Sequence, residues 1–445
     1  MQNNTLDNEI NYFKGGSNMF SEFDNIIGYK RIKEQLNMIC DVVVNFHKYE
    51  KLGVSFPGGL LLEGRPGVGK TLMASCFIEA SNLKAYVCRK NKPNGDFVDE
   101  IKKVFEQAKK NAPSIVLLDD MDKFANEDYK HVDAEEYVTV QACMDEIKGK
   151  GVFVIATVND IYKIPNSLKR AGRFDNKIYV NIPSGNDAIK IVEHYMSKLT
   201  NVENISAHEV ANLLGDNSCA LLETVINKAG VYAGYYGKDK IQMEDIVEAF
   251  LDVKYDICKS YITQEAKYVS VHEAGHVVMM ELLFPGTTTL ALLNNACNTD
   301  QGLVSRTSDD IGMIPYNREE YEIMVALAGK AAIELKYGVA DVGCNNDLKN
   351  AYSIAEGLVD DVCAYGFDTF LRNGSGNQLR DKRDYMISRL IEKYYSKTIR
   401  ILEANQDYVD AIAEALLEKK VLLRVDFDKI KEKFIVNNQM IEKML

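Results

Sequence analysis

Two short runs in this chain carry residue types and spacings suited to chemistry. The first is Gly64-Arg65-Pro66-Gly67-Val68-Gly69-Lys70-Thr71. Glycines let the backbone curl so that amide N–H groups point at phosphate oxygens, and a helix opening at the same place adds its positive end. In this pattern Gly64, Pro66, Gly67, Val68 and Gly69 cradle the phosphates, Lys70 reaches the β and γ phosphates, Thr71 holds Mg²⁺, and Leu72 is the last nucleotide-binding residue of the run. The chemistry implied is Mg²⁺-assisted binding and hydrolysis of ATP. The second run is His272-Glu273-Ala274-Gly275-His276, about two hundred residues further on. Residues four apart on a helix share one side, so His272 and His276 can hold one metal ion. Glu273 stands beside the first of them, placed to take a proton from a zinc-activated water. The bland alternative is a helix with two polar histidines. The chain has only six histidines, which makes this spacing around a glutamate a poor coincidence.

Zinc that performs hydrolysis keeps three protein ligands and one position for water. No histidine follows His276, so the third ligand is a carboxylate or comes from elsewhere in the chain. Asp347, in Cys344-Asn345-Asn346-Asp347-Leu348, is the candidate, although by residue type alone it is one acidic helix start among several. On the nucleotide side, Leu117-Leu118-Asp119-Asp120 ends an apolar run about fifty residues after the phosphate loop. Asp119 suits a carboxylate in the outer sphere of Mg²⁺, and Asp120 would polarise the attacking water. Asn159, at the end of the next apolar run, could orient that water. Arg170 and Arg173, in Lys169-Arg170-Ala171-Gly172-Arg173-Phe174-Asp175, could bring guanidinium to a γ phosphate, most usefully across a subunit boundary.

These groups need a frame. Gly59–Glu63, Ser114–Asp119 and Val152–Thr157 are almost continuously apolar, as strands buried on both faces of a parallel sheet are. A helical pattern over Phe97–Asn111 lies between two of them. The expected fold is therefore an α/β nucleotide-binding module over 22–185, a parallel sheet with helices on both faces, followed by an all-helical region over 186–254 after the punctuation Pro183-Ser184-Gly185. A mainly α-helical domain is expected over 255–445. It should carry the histidine pair on a helix over Thr263–Phe284, a short β-like section around Thr287–Ser305, an exposed loop at Arg372–Asn377, and long closing helices. Residues 1–21 read as a flexible polar tail.

Composition excludes several classes. A chain of 445 residues with 46% hydrophobic and 27% charged content suits two or three soluble globular domains. The net charge of −12 argues against nucleic acid, whose phosphates need a basic face. No apolar run approaches the roughly 20 residues that span a bilayer, so no integral membrane segment is expected. Nine cysteines without a Cys-x-x-Cys pair read as reduced core thiols of a cytoplasmic protein.

In this order the nucleotide-site pieces resemble the AAA+ ATPases. Phe23-Asp24-Asn25-Ile26-Ile27-Gly28 resembles the segment that contacts adenine in that family, which implies a nucleotide-contacting role for Ile27 and Gly28. The resemblance also implies that the helical region is a lid and that the working unit is a homo-oligomeric ring, expected to be hexameric, because the arginine pair must meet a neighbour's nucleotide. Tyr268–Val278, Ala328-Gly329-Lys330-Ala331-Ala332-Ile333-Glu334 and Asn346-Asp347-Leu348-Lys349 resemble the peptidase half of FtsH-type ATP-dependent zinc metalloproteases, and Tyr394–Leu417 resembles that family's closing helices. In that family the Asp of the Asn-Asp pair is the third zinc ligand, which implies Asp347 here. The implied cofactors are Zn²⁺, ATP and Mg²⁺, and the implied partners are protein or peptide substrates.

Four departures stand out. The family normally begins with transmembrane segments, and none is legible here, so the chain is either a soluble relative, the favoured expectation, or a product whose anchor lies elsewhere. Asp120 stands where the family has Glu, withdrawing the carboxylate by about one C–C bond, which can cost rate. The pore segment, which in the family carries an aromatic-Val-Gly grip, reads Lys90-Asn91-Lys92-Pro93-Asn94-Gly95-Asp96-Phe97 and is shorter. Phe97 is then either the gripping aromatic or simply the start of a core helix. Lastly, the family's usual strand sequence is missing between the metal-ligand regions, and Gln301-Gly302-Leu303-Val304-Ser305 is the candidate edge strand for an extended substrate. The leading expectation is an ATP-dependent zinc endopeptidase that threads protein through a ring. The alternatives are a nucleotide-gated peptidase with a slow or scaffold ATPase half, acting only on unfolded chains, and a remodelling AAA+ protein with an inactive peptidase domain.

Overall fold

The computed structural model of the chain describes residues 20–90, 97–125, 134–170, 172–255, 266–293, 302–306, 316–341, 343–367, 370 and 376–434. Packing divides the chain into two compact units, one formed by residues 1–202 with 217–230 and the other by 203–216 with 231–445.

The first unit is built on five parallel strands: β1 (Gly59–Glu63), β2 (Lys84–Cys88), β3 (Ser114–Leu118), β4 (Val152–Val158) and β5 (Asn176–Tyr179), in the order β2-β3-β4-β1-β5. The three central strands are the three apolar runs of the sequence. β1 pairs with β4 from Gly59↔Val154 to Glu63↔Val158, and β3 pairs with β4 from Ser114↔Val152. The outer strands β2 and β5 are half-exposed, so their sequences mix polar and apolar residues and do not read as buried strands. The helices of this unit begin with α1 (Lys30–Val44), α2 (Phe46–Glu50), α3 (Lys70–Ser81), α4 (Phe97–Lys110) and α5 (Ala134–Ile147). Phe77 of α3 stacks on Phe153 of β4 with centroids 5.5 Å apart, fixing the helix against the sheet.

Phe97 is a core residue. It is 7% exposed and packs edge-on against Phe124, with ring centroids 4.9 Å apart. The reading of Phe97 as a pore-gripping aromatic is thereby overturned, because a ring buried in its own subunit cannot hold a substrate. Asn91–Asp96 lies outside the described residues. Ser21, read as the end of the tail, opens a 3₁₀ turn over Ser21–Asn25, whose Phe23 is buried.

Four further helices, α6 (Gly185–Met196), α7 (Ala207–Leu213), α8 (Cys219–Tyr235) and α9 (Met243–Tyr255), make up the all-helical stretch. α6 and the first part of α8 belong to the first unit, α7 and α9 to the second.

The second unit continues with α10 (Ala266–Leu283), β6 (Thr288–Leu293), β7 (Gly302–Arg306), α11 (Tyr316–Tyr337), α12 (Asn345–Asp360), α13 (Asn377–Glu403), α14 (Gln406–Lys419), β8 (Val421–Leu423) and α15 (Arg424–Lys431). α10 is buried on nearly every side, as a helix apolar all round must be. Its neighbour α11 comes close because Gly275 has no side chain: a Cβ there would lie 2.6 Å from the Ala328 carbonyl oxygen. The small sheet is antiparallel, in the order β7-β6-β8, with β6 wholly buried and β7 half-exposed at the edge. The expected β-like section is these two strands. Gln301 lies outside the described residues, as does most of the expected loop at Arg372–Asn377. Among the described residues, no helix is long and apolar enough to cross a membrane.

Candidate nucleotide and metal centres

The phosphate loop leaves the C-terminal end of β1 and enters α3. Gly67 and Gly69 have φ of 77° and 98°, left-handed values that only glycine adopts without strain. A Cβ on Gly67 would also sit 2.9 Å from the Ala220 side chain. Lys70 is 6% exposed and its ammonium donates to the Gly64 and Arg65 carbonyls at 2.7 and 2.9 Å and to Asn159 Oδ1 at 2.9 Å. Burial pulls the Lys70 amine below its ordinary range, while Asp120 and Asp122 oppose that shift.

At the ends of β3 and β4 the other expected residues gather. Asp119, 1% exposed, accepts from Thr71 Oγ1 at 3.1 Å and Thr157 Oγ1 at 2.8 Å, both on Oδ1. Its other oxygen, Oδ2, is ion-paired with the Arg89 guanidinium just after β2. Asp120 adopts the left-handed region at φ 53°. Its Oδ1 accepts from Asn159 Nδ2 at 3.3 Å, and its Oδ2 from Lys123 Nζ at 2.7 Å. Burial would raise the Asp120 carboxyl, but Lys123 and Asn159 outweigh it and hold the group below the usual carboxylate range. Asn159 therefore bridges Lys70 and Asp120.

Gly28 and Tyr29 meet the start of α6, where the Tyr29 N–H donates to Asp187 Oδ1 at 2.8 Å. The Tyr29 hydroxyl lies 3.6 Å from Cys219 Sγ, which in turn donates to the Val68 carbonyl at 3.7 Å. Ile27 is half-buried beside them; Val68 is fully buried, whereas Pro66 and Leu72 are exposed. The two arginines differ. Arg170 is exposed. Arg173 clamps Asp145 through Nε at 3.1 Å and Nη2 at 2.9 Å, and also donates to the Ser167 carbonyl.

The metal centre forms where α10 meets the start of α12. His272 Nε2 lies 3.1 Å from His276 Nε2 and 3.2 Å from Asp347 Oδ2, and His276 Nε2 lies 3.5 Å from the same oxygen. Ligand atoms ~2.0–2.1 Å from a tetrahedral ion stand about 3.3–3.4 Å apart, so this cluster fits zinc. The other ring nitrogens are engaged: His276 Nδ1 donates to the Val325 carbonyl at 2.8 Å, and His272 Nδ1 lies 2.6 Å from Asp341 Oδ2. Burial opposes charge on His272, but Asp341 and Asp347 outweigh it and push the imidazole up to about 10. Burial likewise works against the Asp347 carboxylate, and the two imidazoles hold it far below its usual range. Binding of a metal ion by such groups displaces protons from them. Glu273, 7% exposed, lies against Gly302 of β7.

Lys70, Thr71, Asp119, Asp120 and Asn159 thus fall into one hydrogen-bonded cluster and His272, His276 and Asp347 into another, whereas Arg173 holds Asp145 and Arg170 is exposed. Arg89, Thr157 and Asp341 were not legible in the sequence because each acts on a partner far along the chain, and Lys123, three residues after Asp120, because it belongs to no spaced motif.

The model of the AAA family, "ATPase family associated with various cellular activities", matches residues 60–182, the stretch that holds the phosphate loop, Asp119, Asp120 and Asn159. Curated relatives match further. The chain is similar to ATP-dependent zinc metalloprotease FtsH 2 of Thermoanaerobacter sp. (strain X514), 28% identical over 92% of this chain and 82% of the relative. It is also similar to ATP-dependent zinc metalloprotease FtsH 4 of Synechocystis sp., 27% identical over 92% of this chain and 71% of the relative, and to FtsH of Ureaplasma parvum serovar 3, 27% identical over 92% and 60%.

The chain is similar to FtsH-type AAA+ metalloproteases along 92% of its length.

It combines an AAA phosphate loop with a His-His-Asp cluster that fits zinc, and the implied cofactors are Zn²⁺, ATP and Mg²⁺. Its seven described cysteines are unpaired, and five of them are buried.

Proposed function

We propose that this chain is an ATP-dependent zinc endopeptidase that draws protein segments to its metal site and hydrolyses their peptide bonds. The observation that carries the reading is the convergence of His272, His276 and Asp347, with Glu273 alongside, in a chain that also holds a phosphate loop. His272, His276 and Asp347 would hold zinc, which supplies polarisation of the attacking water and of the substrate carbonyl. Glu273 takes the proton of that water and returns it to the leaving amine. The half-exposed edge strand β7 would receive an extended substrate by backbone pairing beside Glu273.

In the ATPase half, Gly64 to Gly69 and Lys70 hold the phosphates, with Ile27, Gly28 and Val68 toward the base. Thr71 and Asp119 hold Mg²⁺, and Asp120 with Asn159 orients the attacking water. Arg170, exposed, is the arginine offered to a neighbour's γ phosphate; Arg173, clamped on Asp145, holds the segment that presents it. Such sharing requires a ring of copies, proposed to be hexameric. The domain plan proposed is an α/β module over 22–185, a lid over 186–254 and a peptidase domain over 255–445. Unpaired cysteines support a reducing, cytoplasmic compartment.

A second reading has its own support: Lys123 engages the Asp120 carboxylate, and Phe97 is in the core rather than in a pore. It makes the ATPase half a slow gate for a peptidase of unfolded chains. Degradation of a permanently unfolded, fluorescently labelled protein is followed with ATP, with a non-hydrolysable analogue, and without nucleotide. Cleavage only with ATP supports the motor-driven reading, and equal cleavage with the analogue supports the gate. Glu273→Gln should abolish cleavage while ATP turnover continues; cleavage at the wild-type rate would sink the zinc mechanism. Absence of cleavage under every condition favours a remodelling ATPase.

A further inference from the structure

Asp341 lies between α11 and α12, six positions before Asp347, with its side chain 11% exposed. Both its carboxylate oxygens are committed. Oδ1 accepts the Gly343 N–H at 2.8 Å, and Oδ2 faces His272 Nδ1 at 2.6 Å. The Asp341 carbonyl also accepts from the Cys344 thiol at 3.1 Å. The turn thus holds the carboxylate by contacts separate from the one to the histidine.

The two histidines are not equivalent. His276 donates to a neutral backbone carbonyl, whereas His272 is backed by a carboxylate. A carboxylate behind an imidazole holds the ring's tautomer and orientation and makes the opposite nitrogen a stronger electron donor to a metal. Asp341 reaches only Nδ1, on the side away from Asp347, so it is placed to act through His272 rather than as a ligand.

We infer that Asp341 is a positioning residue of the metal centre, setting zinc affinity through the orientation and donor strength of His272. The inference rests on the zinc-site reading of His272, His276 and Asp347. The same short segment then supplies both the third ligand and the group that tunes the first.

The test is zinc affinity of the full chain, by competition with a chromophoric chelator, for wild type, Asp341→Asn, Asp341→Ala and His272→Ala. Asp341→Asn keeps an acceptor for the Gly343 N–H while removing the negative charge. Wild type should bind one zinc per chain, and His272→Ala should bind none. Both Asp341 variants should bind about 10- to 100-fold more weakly. Metal-free thermal unfolding of Asp341→Asn should match wild type. Equal zinc affinity in wild type and Asp341→Asn overturns this inference alone. A weakened affinity accompanied by an equally destabilised metal-free protein would make Asp341 a turn residue only, and also overturns it. Failure of wild type to bind zinc instead removes the reading beneath it.

Discussion

The imidazole of His272 lies directly on Gly329 of α11: a Cβ at position 329 would come 2.4 Å from His272 Cε1 and 2.6 Å from Nδ1 and Nε2. The glycine is the space that the ring occupies. Gly329→Ala should push His272 away from His276 and Asp347 and lower zinc affinity at least ~10-fold, a loss of the size seen when a ligand's orienting contacts are removed. Nucleotide binding should be unchanged. Zinc measured per chain after gel filtration checks this, and a full complement of tightly held zinc would refute it.

Gly302 gives a contrasting case. A Cβ there would lie 2.3 Å from Glu273 Oε1, so Gly302→Ala should displace the proposed proton acceptor without touching the three metal-cluster residues. Peptidase kcat is expected to fall by about 10²-fold, the scale of an ~1 Å misplacement, with zinc content held at the wild-type level. If zinc and kcat fell together, the contact would be serving the metal site instead.

Arg89 occupies Oδ2 of Asp119, the carboxylate proposed to serve Mg²⁺. Cation and guanidinium compete for one group. Arg89→Ala should therefore lower the Mg²⁺ concentration that half-saturates fluorescent ATP binding. Arg89 is about half exposed, so the shift should be about 2- to 5-fold, the range of a solvent-screened pair. A Mg²⁺ dependence identical to wild type would show that the pair has no bearing on the metal.

Glu281 of α10 is buried and ion-paired with Arg424, whose Nη2 lies 3.0 Å from Oε2, and with Lys431 at 3.3 Å. Burial would raise its carboxyl, but the two cations outweigh that and hold it below the usual range. A depressed folded-state pKa stabilises above the unfolded value, about 4.3 for Glu, and the contribution disappears as pH falls through the folded value. Glu281→Ala, which takes the buried carboxylate from Lys431 and leaves Arg424 with Asp428, should cost about 1–3 kcal/mol at pH 7. The gap to wild type should narrow as pH drops below about 4. Chemical denaturation at pH 7 and at pH 3.5 compares the two; a gap that widened on acidification would contradict this account.

Much of both centres was legible because their signals are local. The phosphate loop is a contiguous run, and the histidine pair depends only on the period of one helix. The central strands β1, β3 and β4 were readable because burial on both faces demands uninterrupted apolar residues, whereas β2 and β5, at the sheet edges, obey no such demand. Asp347 was a candidate by type and became specific only through a family likeness. Phe97 shows the limit from the other side: an aromatic at a helix start reads equally well as a surface grip or a core anchor, and the ring of Phe124 settled it.

The sequence by itself determined which groups are available: an ammonium and a hydroxyl after a glycine loop, two imidazoles one turn apart, and carboxylates ending apolar strands. Only the tertiary structure decided which of them meet. Asp341 reaches His272 across 69 residues of chain, and Arg89 reaches Asp119 from a neighbouring strand. Both contacts depend on how whole elements pack: the second on the pairing of β2 with β3, the first on how close α11 comes to α10 through Gly275 and Gly329. Helical and strand periods are set by the local backbone, whereas such meetings are set by the shape and volume of every side chain between the partners, and no short pattern encodes that.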